Sequence, residues 1–254
     1  MLRQLNPQQF SRIEDSLPQL IGSASIEWLY HFETARDRMV VYSSRNLKDC
    51  MIIFNEINVL VAASSRTVLQ DFLKKLDVRK SYAFRCPEWM TAAVLERFPP
   101  KNSEHRGVIL LTYTTSEEDF RRCVNSRHLT KILTDDDAHM VTAYSGNHWS
   151  AEFIKGRIRN GSFYGVCTAN KLVSWLGTLW ESKKACEIGF AFTRIEYRGK
   201  GMMKTLTSIL TEKILREGKT PLLHTVQENN AAIRTAQSLG YDLRAKEWAY
   251  FYNP

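Results

Sequence analysis

No apolar run in this chain approaches the roughly 20 residues that a helix needs to cross a bilayer, so the reading carries no membrane span. The first residues bring Glu14 and Asp15 early and hold no apolar segment. Neither a secretory nor a transit peptide is evident, and an intracellular, cytoplasmic protein is expected. Paired cysteines are lacking too. Cys50, Cys86, Cys123, Cys167 and Cys186 are odd in number and form no Cys-x-x-Cys pair, which argues for reduced thiols and against a disulfide framework or a zinc site. The six histidines are dispersed, none at metal-ligand spacing, so no metal is expected. No nucleic-acid motif accompanies the isoelectric point of 9.2.

What is present is a soluble globular composition, 44% hydrophobic and 24% charged, in a chain long enough for one large or two modest domains. Charge is unevenly placed. Residues 1–150 hold 19 Lys and Arg against 18 Asp and Glu, whereas residues 151–254 hold 16 against 9. Nearly all of the +8 excess therefore sits in the second part, scattered rather than blocked. An anionic phosphorylated small molecule accounts for that asymmetry more economically than nucleic acid does.

The stretch from Glu187 to Lys204 carries the most chemistry. It reads as a strand, a glycine-bearing turn and the start of an amphipathic helix in which Met202, Leu206, Ile209, Leu210 and Ile214 recur at three or four residues. Gly218 sits where a left-handed C-terminal cap belongs. Such a junction offers unpaired backbone N–H groups and the positive end of a helix dipole to an anion. Arg198, Lys200 and Lys204 add charge there. A dinucleotide loop is excluded because Gly199-x-Gly201 is followed by Lys204 in the third glycine's place. A nucleoside-triphosphate loop is excluded because Met202 follows Gly201.

The run Arg198 to Met203 resembles the acyl-coenzyme A pyrophosphate loop, Arg-x-x-Gly-x-Gly/Ala, of the Gcn5-related N-acyltransferase (GNAT) superfamily, with Met203 in the place of the small last residue. Downstream, Asn229, Ala232, Ile233, Gly240 and Tyr241 stand in the register of that superfamily's Asn-x-x-Ala-Ile, helix, Gly-Phe/Tyr pattern. Gly165 to Trp175, Glu187, the turn Glu196 to Gly199, and Trp248 look like the glycine N-acyltransferase family, with Ile195 replacing a proline of the turn. The likeness covers residues 140–254.

The resemblance implies an α+β fold, a mixed and mostly antiparallel sheet flanked by helices. It implies acyl-CoA, acetyl or longer, as donor, held by Ala191, Phe192, Thr193, Arg198, Gly199, Lys200, Gly201, Met202, Met203, Lys204 and Asn229, with no metal. Glu187 stands in the place of the general base, acting directly or through a water. The backbone N–H of Phe192 or Thr193 is the candidate oxyanion donor. Where many members carry an acidic tyrosine, seven residues after Asn229, this chain has Ala236. Tyr241, Ser238 and His224 are the substitutes, or thiolate leaves unassisted; His224 also reads as a packed strand residue. The expected activity is N-acylation of a small-molecule amine, glycine or another amino acid leading, without nucleic acid or membrane as partner. A protein or peptide N-acetyltransferase and a non-catalytic acyl-CoA binder are the rivals. The resemblance leaves a mitochondrial location open, and nothing fixes an oligomeric state.

Along the chain, short helices are expected over Phe10–Leu17 and Ile26–Phe32. Strands are expected over Met39–Ser43, within Met51–Ser64 and over Val108–Tyr113, and helices over Val68–Leu76 and Glu88–Phe98. The polar stretch around Asp135–Asp137 marks a boundary. It separates an α/β domain (1–135), expected to shape the acceptor site or dock a partner and compatible with a second, cofactor-free copy of a similar layout, from an acyltransferase domain (136–254). There, a helix over Trp149–Ile158 leads into three antiparallel strands, Ser162–Thr168, Leu172–Trp180 and Cys186–Thr193. On the last of these, simple alternation puts Ile188, Phe190 and Phe192 on the core face and Glu187, Gly189, Ala191 and Thr193 on the other. The alternating tail Trp248–Tyr252 is expected to pack its rings in the core, one or two of them lining the acyl pocket.

Overall fold

The computed structural model describes residues 2–14, 36–101, 107–144 and 149–254. The chain forms two compact units: Met1–Thr112 with Val226–Glu228 and Arg244–Pro254, and Tyr113–Thr225 with Asn229–Leu243. This differs from the 1–135 and 136–254 division read from sequence. The polar stretch near 135 lies inside the second unit, and the terminal strand returns to the first. The helix expected over 26–32 lies outside the described residues.

The first unit opens with β1 (Arg3–Leu5) and the short α1 (Phe10–Glu14). An antiparallel meander follows, β2 (Met39–Ser43), β3 (Cys50–Phe54) and β4 (Asn58–Ala62), with Met39 opposite Phe54 and Phe54 opposite Asn58. The Ser65 hydroxyl accepts the Val68 N–H and so caps α2 (Arg66–Leu73), which crosses to β5 (Tyr82–Cys86), parallel to β4. Next come α3 (Thr91–Arg97) and β6 (Val108–Thr114). Period two divides the core. Val59 and Val61 join Phe72, Phe84 and Phe98 on one face, while Leu60 and Ala62 join Val41, Ile52 and Phe10 on the other.

The second unit begins with β7 (Leu129–Ile132), α4 (Ala138–Ala143) and α5 (Ala151–Asn160). Three consecutive antiparallel strands follow as expected, β8 (Phe163–Thr168), β9 (Lys171–Glu181) and β10 (Ala185–Thr193). The β8–β9 turn puts Ala169 and Asn170 at φ of 47° and 60°, the paired left-handed residues that a two-residue hairpin requires. Helix α6 (Met202–Arg216) then returns the chain to β11 (Thr220–Val226), parallel to β10, and α7 (Asn230–Ser238) follows. The strand order in this unit is β11-β10-β9-β8-β7. Leu206, Leu210 and Ile214 of α6 pack on Val166, Leu176 and Ile188.

On its hydroxyl-bearing side α6 accepts a strap. The Cys123 N–H donates to Ser208 Oγ at 2.9 Å and the Asn125 N–H to Thr205 Oγ1 at 3.2 Å. The far end of that strap is pinned through Gly240, at φ +84°, where an added Cβ would overlap the Asp119 carbonyl oxygen. Both strain and clash fall on backbone, so Gly240→Ala should destabilise the protein by about 2 kcal/mol. In urea the unfolding midpoint should fall with an unchanged slope. An unmoved midpoint would show that the strap yields freely.

The last strand, β12 (Asp242–Tyr252), pairs antiparallel with β5, from Trp248 opposite Cys86 to Tyr252 opposite Tyr82. Trp248, Tyr250 and Tyr252 pack with Phe84 and Phe98 in the first unit. The expectation that one of these rings lines the acyl pocket is therefore corrected: period two commits all three to that core, and Phe251 points outward, 62% exposed.

Candidate active site

Strand β10 and the turn after it organise the site. From Ala185 to Ile188 the strand pairs in parallel with β11, Glu187 lying opposite Leu222. Beyond Ile188 that pairing ends while β9 stays paired on the other side. One edge of residues 189–193 is thus left open, with backbone groups that neighbouring strands do not saturate. Arg194 N–H donates to Val173 O, so by the antiparallel alternation Phe192 N–H points toward β9 and Thr193 N–H toward the open edge.

A bulge corrects the simple alternation. Gly189 is opposite Gly177 but Phe192 opposite Trp175, three residues against two, and Phe190 takes φ +53°. The extra residue reverses the faces beyond it. Cys186 and Ile188 face α6, whereas Phe190 and Phe192 both pack on the opposite side with Phe163 and Trp175. Phe190, Phe192 and Trp175, together with Val141, Tyr144, Trp149, Leu179 and Ala191, line a cavity of about 270 Å³ whose lining carries no charged residue. Sequence reasoning missed this cavity because it assigned Phe190 and Phe192 to the wrong face. The Gly-Phe-Ala-Phe run, with glycine beside a bulky residue, was the available signal for a bulge.

At one end of the open edge lies Glu187, 6% exposed. Its Oε1 accepts from His224 Nδ1 at 2.9 Å, and its Oε2 is buried without a hydrogen-bond partner. His224 thus stands beside the carboxylate as more than strand packing, which one sequence alone does not reveal. The thiol of the preceding residue, Cys186, is pushed up to about 12, chiefly by burial. Burial thus favours its protonated form near neutral pH, and it is not poised as a thiolate.

At the other end the chain turns through Ile195–Tyr197 into α6. Gly199 and Gly201 take φ of 74° and 78°, and a Cβ built on either meets nothing closer than His128 Nε2 at 4.0 Å. The first helical bond runs from Thr205 N–H to Gly201 O, leaving the amides of Met202, Met203 and Lys204 without helical acceptors. Arg198 Nε donates to Thr193 O at 3.0 Å, the Ser174 hydroxyl meets Phe192 O and Thr193 Oγ1, and Lys200 Nζ lies 5.0 Å over the Tyr197 ring. An open, amide-lined cradle at a helix N-terminus fits a diphosphate.

The structure thus brings Ala191, Phe192, Thr193 and residues 198–204 onto one continuous edge and turn. Asn229 is placed as the N-cap of α7, its side chain accepting from Ala232 N–H at 3.2 Å. Two of the candidate acids are engaged elsewhere. The Tyr241 hydroxyl pairs with Thr211 Oγ1 at 2.6 Å in full burial, which drives its ionisation upward, and Ser238 donates to Thr235 O. Among the described residues no three His, Cys, Asp or Glu side chains gather as metal ligands, and no helix is long and apolar enough to cross a membrane.

A family model described as FR47-like protein matches residues 163–249, the span from β8 into β12. Curated proteins offer no match. Solved structures do. A Drosophila protein superposes over 98% of both chains with a TM-score of 0.71 at 16% identity. A GCN5-related N-acetyltransferase from Sphaerobacter thermophilus covers 100% of this chain and 96% of its own, with a TM-score of 0.64 at 11% identity. A tandem GNAT protein from the clavulanic acid biosynthesis pathway covers 99% and 98%, with a TM-score of 0.59 at 10% identity. The fold is the GNAT fold, an α+β arrangement whose mostly antiparallel sheet is flanked by helices, as the sequence led us to expect.

Proposed function

We propose that this protein transfers an acyl group from an acyl-coenzyme A thioester to the amine of a small acceptor. One observation carries the reading: a single strand joins a buried carboxylate, an open backbone edge and an amide-lined phosphate cradle, in that order. The donor's diphosphate would rest on residues 199–204, with Arg198, Lys200 and Lys204 supplying charge. Its pantetheine arm would bond the open edge over Ala191–Thr193, and Thr193 N–H would polarise the thioester oxygen. Glu187 would take the proton that an ammonium must lose before it can attack.

The acceptor we favour is an amino acid, glycine or one with a small side chain. Arg194 supports this. Its guanidinium lies 5.2 Å over Tyr144, a wall of the cavity, its Nε is buried without a hydrogen-bond partner, and it makes no ion pair among the described residues. That is a counter-ion suited to a carboxylate. The reading is tested by following thiol release while acyl donors are crossed with amino acids, polyamines and peptides. Turnover with free amino acids and none with peptides is the expected pattern; the reverse would move the activity to protein amines.

The uncharged cavity beside Ala191 suits the hydrocarbon part of a substrate, which favours donors longer than acetyl. Leu179→Trp, at a lining residue outside the donor-binding edge, should fill part of the cavity and shift kcat/KM toward acetyl-CoA over a hexanoyl or benzoyl donor by about 10-fold or more, the scale of a few methylene contacts. An unchanged donor preference would detach the cavity from the acyl group.

A further inference from the structure

We propose that His224 is a positioning residue for Glu187, donating from Nδ1 to Oε1 so that Oε2 is the one oxygen left to take the substrate's proton. The inference rests on the reading of Glu187 as the base and adds a residue to which sequence gave no such role. Three observations carry it. The Nδ1–Oε1 separation is 2.9 Å, and the two side chains are only 11% and 7% exposed, so solvent competes little for either. Oε2, by contrast, is buried and unpartnered. A buried oxygen without a partner is costly unless a ligand meets it, which is the arrangement expected of a carboxylate that awaits an ammonium.

The backbone explains how the pair forms. Glu187 lies opposite Leu222 in the parallel ladder, so residue 224 stands two positions along β11 on the same side of the sheet. This is the last stretch before the two strands part. The histidine therefore grips the carboxylate where the open edge begins. A free carboxylate rotates about its terminal bond and presents either oxygen. With Oε1 held, Oε2 is the oxygen left without a partner, and the hydrogen bond is available to the charged ring and to the neutral tautomer that carries its hydrogen on Nδ1.

The test is a double-substitution cycle on the full chain. His224→Ala should lower kcat by about 10–100-fold, the scale of one charge-assisted hydrogen bond, with the KM for acyl-CoA unchanged. His224→Asn, whose amide nitrogen can occupy the place of Nδ1, should recover most of that loss. In a Glu187→Gln background His224→Ala should add nothing, since it acts only through the carboxylate. A full rate in His224→Ala, no recovery with Asn, or additive losses would overturn the inference while leaving Glu187 as base. A full rate in Glu187→Gln would instead remove the base itself, and this inference with it. Independently of turnover, the ¹⁵N resonance of His224 Nδ1 should be that of a protonated, hydrogen-bonded nitrogen and should move in Glu187→Ala. A bare Nδ1, or one indifferent to that substitution, counts against the pair.

Discussion

On the proposed mechanism, replacing Glu187 with Gln should lower the rate of acyl transfer by about 10²–10⁴-fold while coenzyme A affinity stays at its original value. Gln keeps the size of the side chain and an oxygen that can still accept from His224 Nδ1, so the 2.9 Å contact survives. What disappears is the unpartnered Oε2, the oxygen proposed as the base. The proposed diphosphate cradle begins at residue 199, at the other end of the open edge, and should not depend on the charge of residue 187. Binding and chemistry should therefore separate in one variant, with calorimetry reading the first and thiol release the second. Raising the pH should return part of the lost rate, because more of the free amine then enters already deprotonated. A near-normal rate with the wild-type pH profile would make Glu187 a structural carboxylate.

How far this site could be read in advance differs between its parts, for physical reasons. The cradle was legible because its demands are local: left-handed glycines, a helix start and clustered cations lie within seven residues. The strand carrying Glu187 was legible as a strand but not in its facing, since one extra residue reverses every side chain beyond it. The cavity followed that error, as its lining comes from α4, β9 and β10 and the segment before α5, which no short window contains. His224 became meaningful only through the β10–β11 register, a pairing between residues 37 apart in sequence. Strand β7 escaped notice for another reason: all four of its residues are exposed, so it shows no alternation of apolar and polar side chains. The terminal strand read correctly as a strand with buried rings, yet its placement in the first unit depends on pairing with β5, whose alternating Tyr82, Phe84 and Cys86 were overlooked.

The cradle yields the second large effect. Gly201→Asp should weaken coenzyme A binding by about 100-fold, roughly 2.7 kcal/mol on the affinity scale. Gly201 is the N-cap of α6 in the left-handed region, φ 78°, with open space where a side chain would stand. Asp tolerates that conformation better than most residues, so the strain should be small and the helix itself should survive. Its carboxylate, however, would accept the very amides offered to the diphosphate and would set a negative charge against it. A surviving helix with a lost ligand separates this mechanism from misfolding. Thermal unfolding without ligand should show a cooperative transition within a few degrees of the parent, while calorimetry shows the affinity loss. Gly201→Asn keeps the capping geometry without the charge and should lose less affinity than Asp. If both bind coenzyme A as tightly as the parent, the diphosphate rests elsewhere, and the cationic turn from Arg198 to Lys204 has another ligand.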